Sequence, residues 1–91
     1  MKPMLVTLTD CKKCEAAKKY LEGINYDLIT LSHDYKTWNA GVLRFLEEYD
    51  IIEDLKTTAP VFITKRGTKV IGQLRIKRWA YENKWIIKVS T

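Results

Sequence analysis

The sequence predicts an α/β domain in the order β-α-β-α-β-β-α, with a mixed four-stranded sheet flanked by helices. A strand-helix-strand unit opens the chain, and its crossover requires a parallel strand pair. Further on, two short apolar runs are joined only by Lys65-Arg66-Gly67-Thr68, a connection that an antiparallel hairpin alone can close. The 91 residues are too few to enclose two hydrophobic cores, so a single domain over 1–91 is expected.

Met4-Leu5-Val6-Thr7-Leu8 is a short apolar, β-branched run and reads as the first strand. Thr9-Asp10 ends it with polar side chains, Asp10 being the expected cap for the amides of the next helix. That helix spans about Cys11 to Leu21, where Ala16, Ala17, Tyr20 and Leu21 have helical spacing and Gly23 supplies a stop. Tyr26 to Leu31 forms the second strand, and Ser32-His33-Asp34 a polar connection. From Thr37 to about Tyr49, Trp38, Val42, Phe45, Leu46 and Tyr49 recur at three- and four-residue intervals, giving a helix with one buried stripe. Thr57-Thr58-Ala59-Pro60 introduces the strand Val61-Phe62-Ile63-Thr64, and the Gly67 turn leads into Lys69-Val70-Ile71. Gly72 begins a last helix through Leu74, Ile76, Trp79 and Ala80 to about Glu82, while 85–89 either extend it or add an edge strand.

Hydrophobic residues make up 46% and charged residues 30% of the chain, which excludes a disordered or collagen-like polymer. No apolar run approaches the roughly 18 to 20 residues that span a bilayer, and the opening is too short and too soon polar for a signal peptide. A cytoplasmic location is therefore expected (host cytoplasm if phage-encoded), with no membrane partner. The net charge of +5 is unevenly spread: residues 1–54 balance to −3, residues 55–91 to +8 with Glu82 as their one acid. Such a field favours anionic partners, among them an acidic peptide tail, a small anionic thiol or nucleic acid.

The chemistry concentrates at Cys11-Lys12-Lys13-Cys14. A loop this short gives little cross-link stabilisation, so a bond between the two cysteines acts through its chemistry. Cys11 falls where the first strand hands over to the first helix, beside unpaired amides and the positive end of the helix dipole, and Lys12 and Lys13 add charge. Thiols in such settings titrate at roughly 3.5 to 7.5 instead of about 8.5. Cys14, one turn further in and less exposed, is suited to resolve a mixed disulfide that Cys11 forms. The spacing also suits half of a zinc site, but no third cysteine exists and His33 is the one histidine, so no metal ligands are assigned. Lys12 and Lys13 are equally readable as solvated helix-start lysines, and His33 as a solvated loop residue. Pro60 by itself is an ordinary strand opener.

Taken together, the C-x-x-C at a helix start, the Thr58-Ala59-Pro60-opened strand Val61-Phe62-Ile63, the Gly67 turn and Ile71-Gly72 before the last helix resemble the glutaredoxin branch of the thioredoxin-like fold. The resemblance covers residues 4–83, and the chain length suits the small bacterial and bacteriophage glutaredoxins. It implies a thiol-disulfide oxidoreductase that reduces protein disulfides or glutathione mixed disulfides through Cys11 and Cys14. It further implies a cis peptide before Pro60, with Ala59 and Pro60 as a docking ledge for the bound thiol, and Gly72-Gln73 near the glutamyl end of glutathione. Lys12 and Lys13 stand where the family commonly has Pro-Tyr, and are assigned to the same substrate site. Glutathione is the expected reducing co-substrate, a flavoenzyme reductase the alternative electron source, and no tightly bound cofactor is expected. A disulfide-bearing protein, ribonucleotide reductase foremost, is the implied substrate of a monomeric enzyme.

Two readings of other classes stand beside this one. Copper(I) chaperones also place C-x-x-C after a first strand, though Thr9 occupies their usual Met position, and some glutaredoxins bridge an iron-sulfur cluster between two chains. The last helix interleaves Arg75, Lys77, Arg78 and Lys84 with Trp79, Tyr81 and Trp85, as nucleic-acid binders do. Nucleic acid is nevertheless not expected as a partner, because a helix with aromatics packed on the sheet and charges in water has the same pattern.

Overall fold

The structure, a computed structural model, describes residues 2–90, with side chains described through residue 83. Its elements are β1 (Met4–Leu8), α1 (Lys12–Tyr20), β2 (Asp27–Leu31), a 3-10 turn (Tyr35–Thr37), α2 (Ala40–Glu48), α3 (Ile52–Thr58), β3 (Val61–Ile63), β4 (Lys69–Ile71) and α4 (Gln73–Ser90). The strands lie in the order β2-β1-β3-β4. β1 runs parallel to β2, while β3 is antiparallel to both β1 and β4, so the sheet is mixed as the connections require.

Side chains alternate across a strand with period two, and the two central strands cover both faces accordingly. Met4 and Val6 of β1 join Val61 and Ile63 of β3 on one face, under Trp38, Leu46, Ile51 and Leu55. Leu5 and Phe62 point the other way, against Ala17 and Leu21 of the α1 region and Ile76 and Ala80 of α4. The domain is thus a three-layer sandwich whose α1/α4 layer carries the cysteine motif. Among the described residues no helix is long and apolar enough to cross a membrane.

Two elements depart from the sequence expectation. The helix expected from Thr37 begins at Ala40, because Asn39 caps it with Oδ1 accepting from the Val42 amide at 2.9 Å. Trp38 is consequently extended rather than helical, and its buried indole donates to Ser32 O at 2.7 Å. Its place in the core holds, but it is not part of a helical stripe. Second, α3 over Ile52–Thr58 was not expected: it is two turns long, lacks a side-chain cap, and carries Glu53 and Asp54 in its first turn where the helix dipole favours acids. Of the two courses open to residues 85–89, the backbone takes the helical one and extends α4.

Gly72 joins β4 to α4 at φ +89, a region where a side chain costs energy. Its amide donates to Pro60 O at 2.9 Å and its carbonyl accepts from the Ile76 amide at 3.1 Å. A Cβ there would lie 3.1 Å from Thr58 Cγ2. Gly72→Ala is therefore expected to destabilise the fold by about 1–2 kcal/mol, read as a lowered urea midpoint. An unchanged midpoint would show that the turn relaxes without penalty.

Candidate functional site

The site grows from the end of β1. The Thr9 amide donates to Leu31 O at 2.8 Å, and Thr9 Oγ1 accepts from the His33 amide at 3.2 Å, which ties the exit of β1 to the exit of β2. His33 is exposed, with ring Nδ1 3.3 Å from the same hydroxyl. Asp10 then turns the chain at φ +52, a left-handed conformation that Asp tolerates better than most residues. Cys11 returns to extended geometry and caps α1 itself: its Sγ accepts from the Cys14 amide at 3.1 Å. The cap expected at Asp10 is thus one residue further on, and Asp10 is left exposed.

Cys11 and Cys14 form a disulfide across one helical turn, with Cα atoms 5.2 Å apart. Cys11 is half-buried, whereas Cys14 is only 1% exposed. This asymmetry matters chemically, since an approaching thiol or disulfide reaches the first sulfur and not the second. On reduction, the Cys14 amide aimed at Cys11 Sγ and the amide end of α1 both favour the thiolate. Lys12 and Lys13 are exposed in the first turn, where lysines oppose the helix dipole and so contribute nothing to helix stability. Glu15, the acid of that turn, is paired with Lys18 at 3.0 Å.

Two open clefts are lined by residues of the cysteine motif. One, of about 410 Å³, is lined by Asp10, Cys11, Lys12 and Glu15. The other, of about 350 Å³, lies between the starts of α1 and α4 and is lined by Lys13, Thr58, Ile71, Gly72, Gln73, Leu74 and Arg75. Of the residues expected at the site, Lys13, Gly72 and Gln73 therefore share one cleft, and Lys12 joins Cys11 in its neighbour. Ala59 and Pro60 act differently from open contact residues. Pro60 is buried, Ala59 is partly buried and packs, as Leu8 does, against the core cluster of Met4, Val6 and Val61, and the peptide between Ala59 and Pro60 is cis. Pro60 directly precedes Val61, whose pairing with Val6 lies two residues before the end of β1, the strand that leads to Cys11. The Pro60 carbonyl accepts from the Gly72 amide, which ties this segment to the second cleft.

Thr58, Leu74 and Arg75 line that cleft without having been assigned to it. Thr58 was visible only as the opener before Ala59-Pro60, and Arg75 only as a charge on a basic helix. Leu74, read from the sequence only as one of the apolar positions of the last helix, is 76% exposed, and Ile76 and Ala80 hold the buried positions. Trp79 is half-buried with its ring centroid 4.7 Å from that of Phe62, so it packs as a core aromatic, but Tyr81 is exposed. The side chains of Lys84 and Trp85, invoked for nucleic-acid binding, lie outside the described residues. Among the described residues no three of His, Cys, Asp and Glu come together as metal ligands.

Neutralising Lys12 and Lys13 together to Gln is expected to shift alkylation of reduced Cys11 by iodoacetamide to higher pH, because the thiolate loses two nearby cations. An unmoved pH profile would leave the two lysines as solvated surface residues.

No protein-family model, curated protein or solved structure matches the chain.

Proposed function

We propose that this chain is a glutaredoxin-like thiol-disulfide oxidoreductase of the thioredoxin-like fold, working through the Cys11/Cys14 pair. The observation that carries the reading is the asymmetric disulfide at the start of α1: an accessible Cys11 sulfur receiving an amide hydrogen bond, and a buried Cys14 one turn away. In the reduced protein, the Cys11 thiolate attacks one sulfur of a substrate disulfide. A Cys11-substrate bond forms, the substrate's disulfide breaks, and the departing sulfur leaves as a thiolate that takes up a proton from water. Cys14 then gives up its proton and attacks Cys11 Sγ, releasing the second substrate thiolate and forming the Cys11–Cys14 bond. Two electrons pass from the dithiol to the substrate.

Regeneration needs two electrons from outside the chain. The reading assigns these to two molecules of glutathione, with a flavoenzyme reductase as the alternative donor. Lys13, Gln73 and Arg75 offer donors for the carboxylates of such a peptide thiol in the cleft beside Gly72. Among protein substrates, ribonucleotide reductase is the one the family resemblance puts forward.

The test is a redox titration. The metal-free protein is equilibrated across ratios of reduced to oxidised glutathione, the thiols are trapped by alkylation, and they are counted by intact mass. A reversible two-thiol transition is expected, and its midpoint gives the potential, with about 30 mV corresponding to roughly 1.4 kcal/mol for this two-electron couple. Two thiols that stay free at every ratio would sink the oxidoreductase reading and turn attention to copper(I) or iron-sulfur binding by the pair.

A further inference from the structure

The exposed face of α4 carries an apolar strip that the dithiol chemistry does not use. Leu74 and Tyr81 are 76% and 79% exposed, far more than the other large apolar side chains exposed among the described residues. They stand seven residues apart, two helical turns, and so share one face at a separation of about 10 Å along the axis. Lys77 and Arg78 lie between them, and together with Glu82 these residues line an open cleft of about 300 Å³. Leu74 belongs also to the cleft beside Gly72, where Lys13 and Arg75 stand. The strip is therefore continuous with the disulfide's surroundings: it starts at the first turn of α1 and runs outward along α4.

The geometry points to this strip as a docking surface for an acidic polypeptide segment, with Leu74 and Tyr81 as apolar anchors and Lys13, Arg75 and Lys77 as partners for its carboxylates. The inference rests on the dithiol reading and adds the class of protein substrate that the site selects. An isolated exposed leucine would mean nothing. Here two apolar side chains are aligned with cations that form no ion pair among the described residues, whereas Arg78 is held by Glu82 at 3.2 Å. Lys77 is steadied over the Tyr20 ring, its nitrogen 5.5 Å from the centroid, which fixes one cation beside the strip.

Charge decides among the possible occupants. A second copy packed about a two-fold axis would set this cationic strip against its own like charges, which is unfavourable. Nucleic acid stacks successive bases on a series of aromatic rings, yet among the described residues the strip offers one exposed ring, Tyr81, because Trp79 is engaged with Phe62 and the anchor at position 74 is aliphatic. An acidic peptide satisfies both features of the strip at once. In polyproline II form it rises about 3.1 Å per residue with three residues per turn, so apolar side chains three residues apart lie on one face about 9 Å apart and match the spacing of the anchors, with Asp or Glu between them.

The experiment uses the full chain and a fluorescein-labelled 12-residue peptide without cysteine, bearing Phe and Leu three residues apart with Asp and Glu around them. A second peptide carries Asn and Gln in place of the acids. By fluorescence anisotropy the acidic peptide is expected to bind at least about tenfold more tightly than its amide twin, and to lose about tenfold in affinity in Leu74→Ala/Tyr81→Ala and in Arg75→Gln/Lys77→Gln. All four side chains are exposed, so circular dichroism should report intact folds. Equal affinity of the two peptides, or an affinity that neither double variant changes, would overturn the docking surface. Co-sedimentation with phosphatidylserine vesicles that depends on these four residues, alongside unaffected peptide binding, would overturn it in favour of a lipid contact. Because the peptides lack cysteine, their binding is independent of thiol exchange, and failure of the dithiol reading appears separately in the glutathione titration.

Discussion

Cys11→Ser is expected to reduce turnover of bis(2-hydroxyethyl) disulfide in the presence of glutathione by more than about a thousandfold, since it removes the attacking sulfur itself. Cys14→Ser should behave differently. It leaves the accessible nucleophile in place and removes the buried group that resolves the mixed disulfide, so the protein should accumulate a single glutathione adduct, located on Cys11 by peptide mass. The prediction follows from exposure: Cys14 is 1% accessible, and an external disulfide cannot reach it without opening the α1/α4 layer. Near-normal dithiol exchange in Cys11→Ser, or an adduct on Cys14 of the Cys11→Ser protein, would reverse the assigned roles.

Phe62→Ala is expected to have the largest effect on stability. Phe62 is fully buried in the central strand β3, paired with Leu5 on one side and Val70 on the other. Its ring meets that of Trp79 at 4.7 Å and that of Tyr26 at 6.3 Å, which joins α4 and the entry to β2 to the sheet. Removing a ring from such a site costs about 3–5 kcal/mol in lost transfer energy and residual cavity. A domain of this size is stable by only about 5–15 kcal/mol in total, so a large part of its stability would go. The thermal midpoint should fall by more than about 10 °C, against a change of less than about 0.5 kcal/mol for the exposed Leu74→Ala. A midpoint for Phe62→Ala close to that of the wild type would show that the three aromatics do not form a cooperative core.

The strands and the cysteine motif were legible because their signals are local. Met4 to Leu8 could be assigned from β-branched and apolar content alone, and the Gly67 turn dictated an antiparallel pair whatever surrounded it. The short α3 left no comparable signal: in Ile52–Thr58 only Leu55 is buried, and two turns are too few for an apolar period to emerge. The start of α2 was placed too early because Trp38 fits the three- and four-residue spacing of Val42 and Leu46, although it reaches the core from an extended segment.

The sequence by itself determined that one small α/β domain forms with two cysteines at a strand-helix junction, since alternation, turn chemistry and motif spacing are written along the chain. Tertiary structure decided which neighbour each of those residues meets. The cap of α1 passed from Asp10 to Cys11 because the left-handed turn at Asp10 swings the following sulfur onto the Cys14 amide. Leu74 was left in solvent because α1 and the sheet cover only the Ile76 and Ala80 side of α4. Likewise, Lys13 and Arg75, 62 positions apart, share a cleft only because α1 and α4 pack on the same face of the sheet. Periodicity states which side chains are apolar or charged, but burial and proximity depend on what else arrives at that face, and that is fixed only when the layers close.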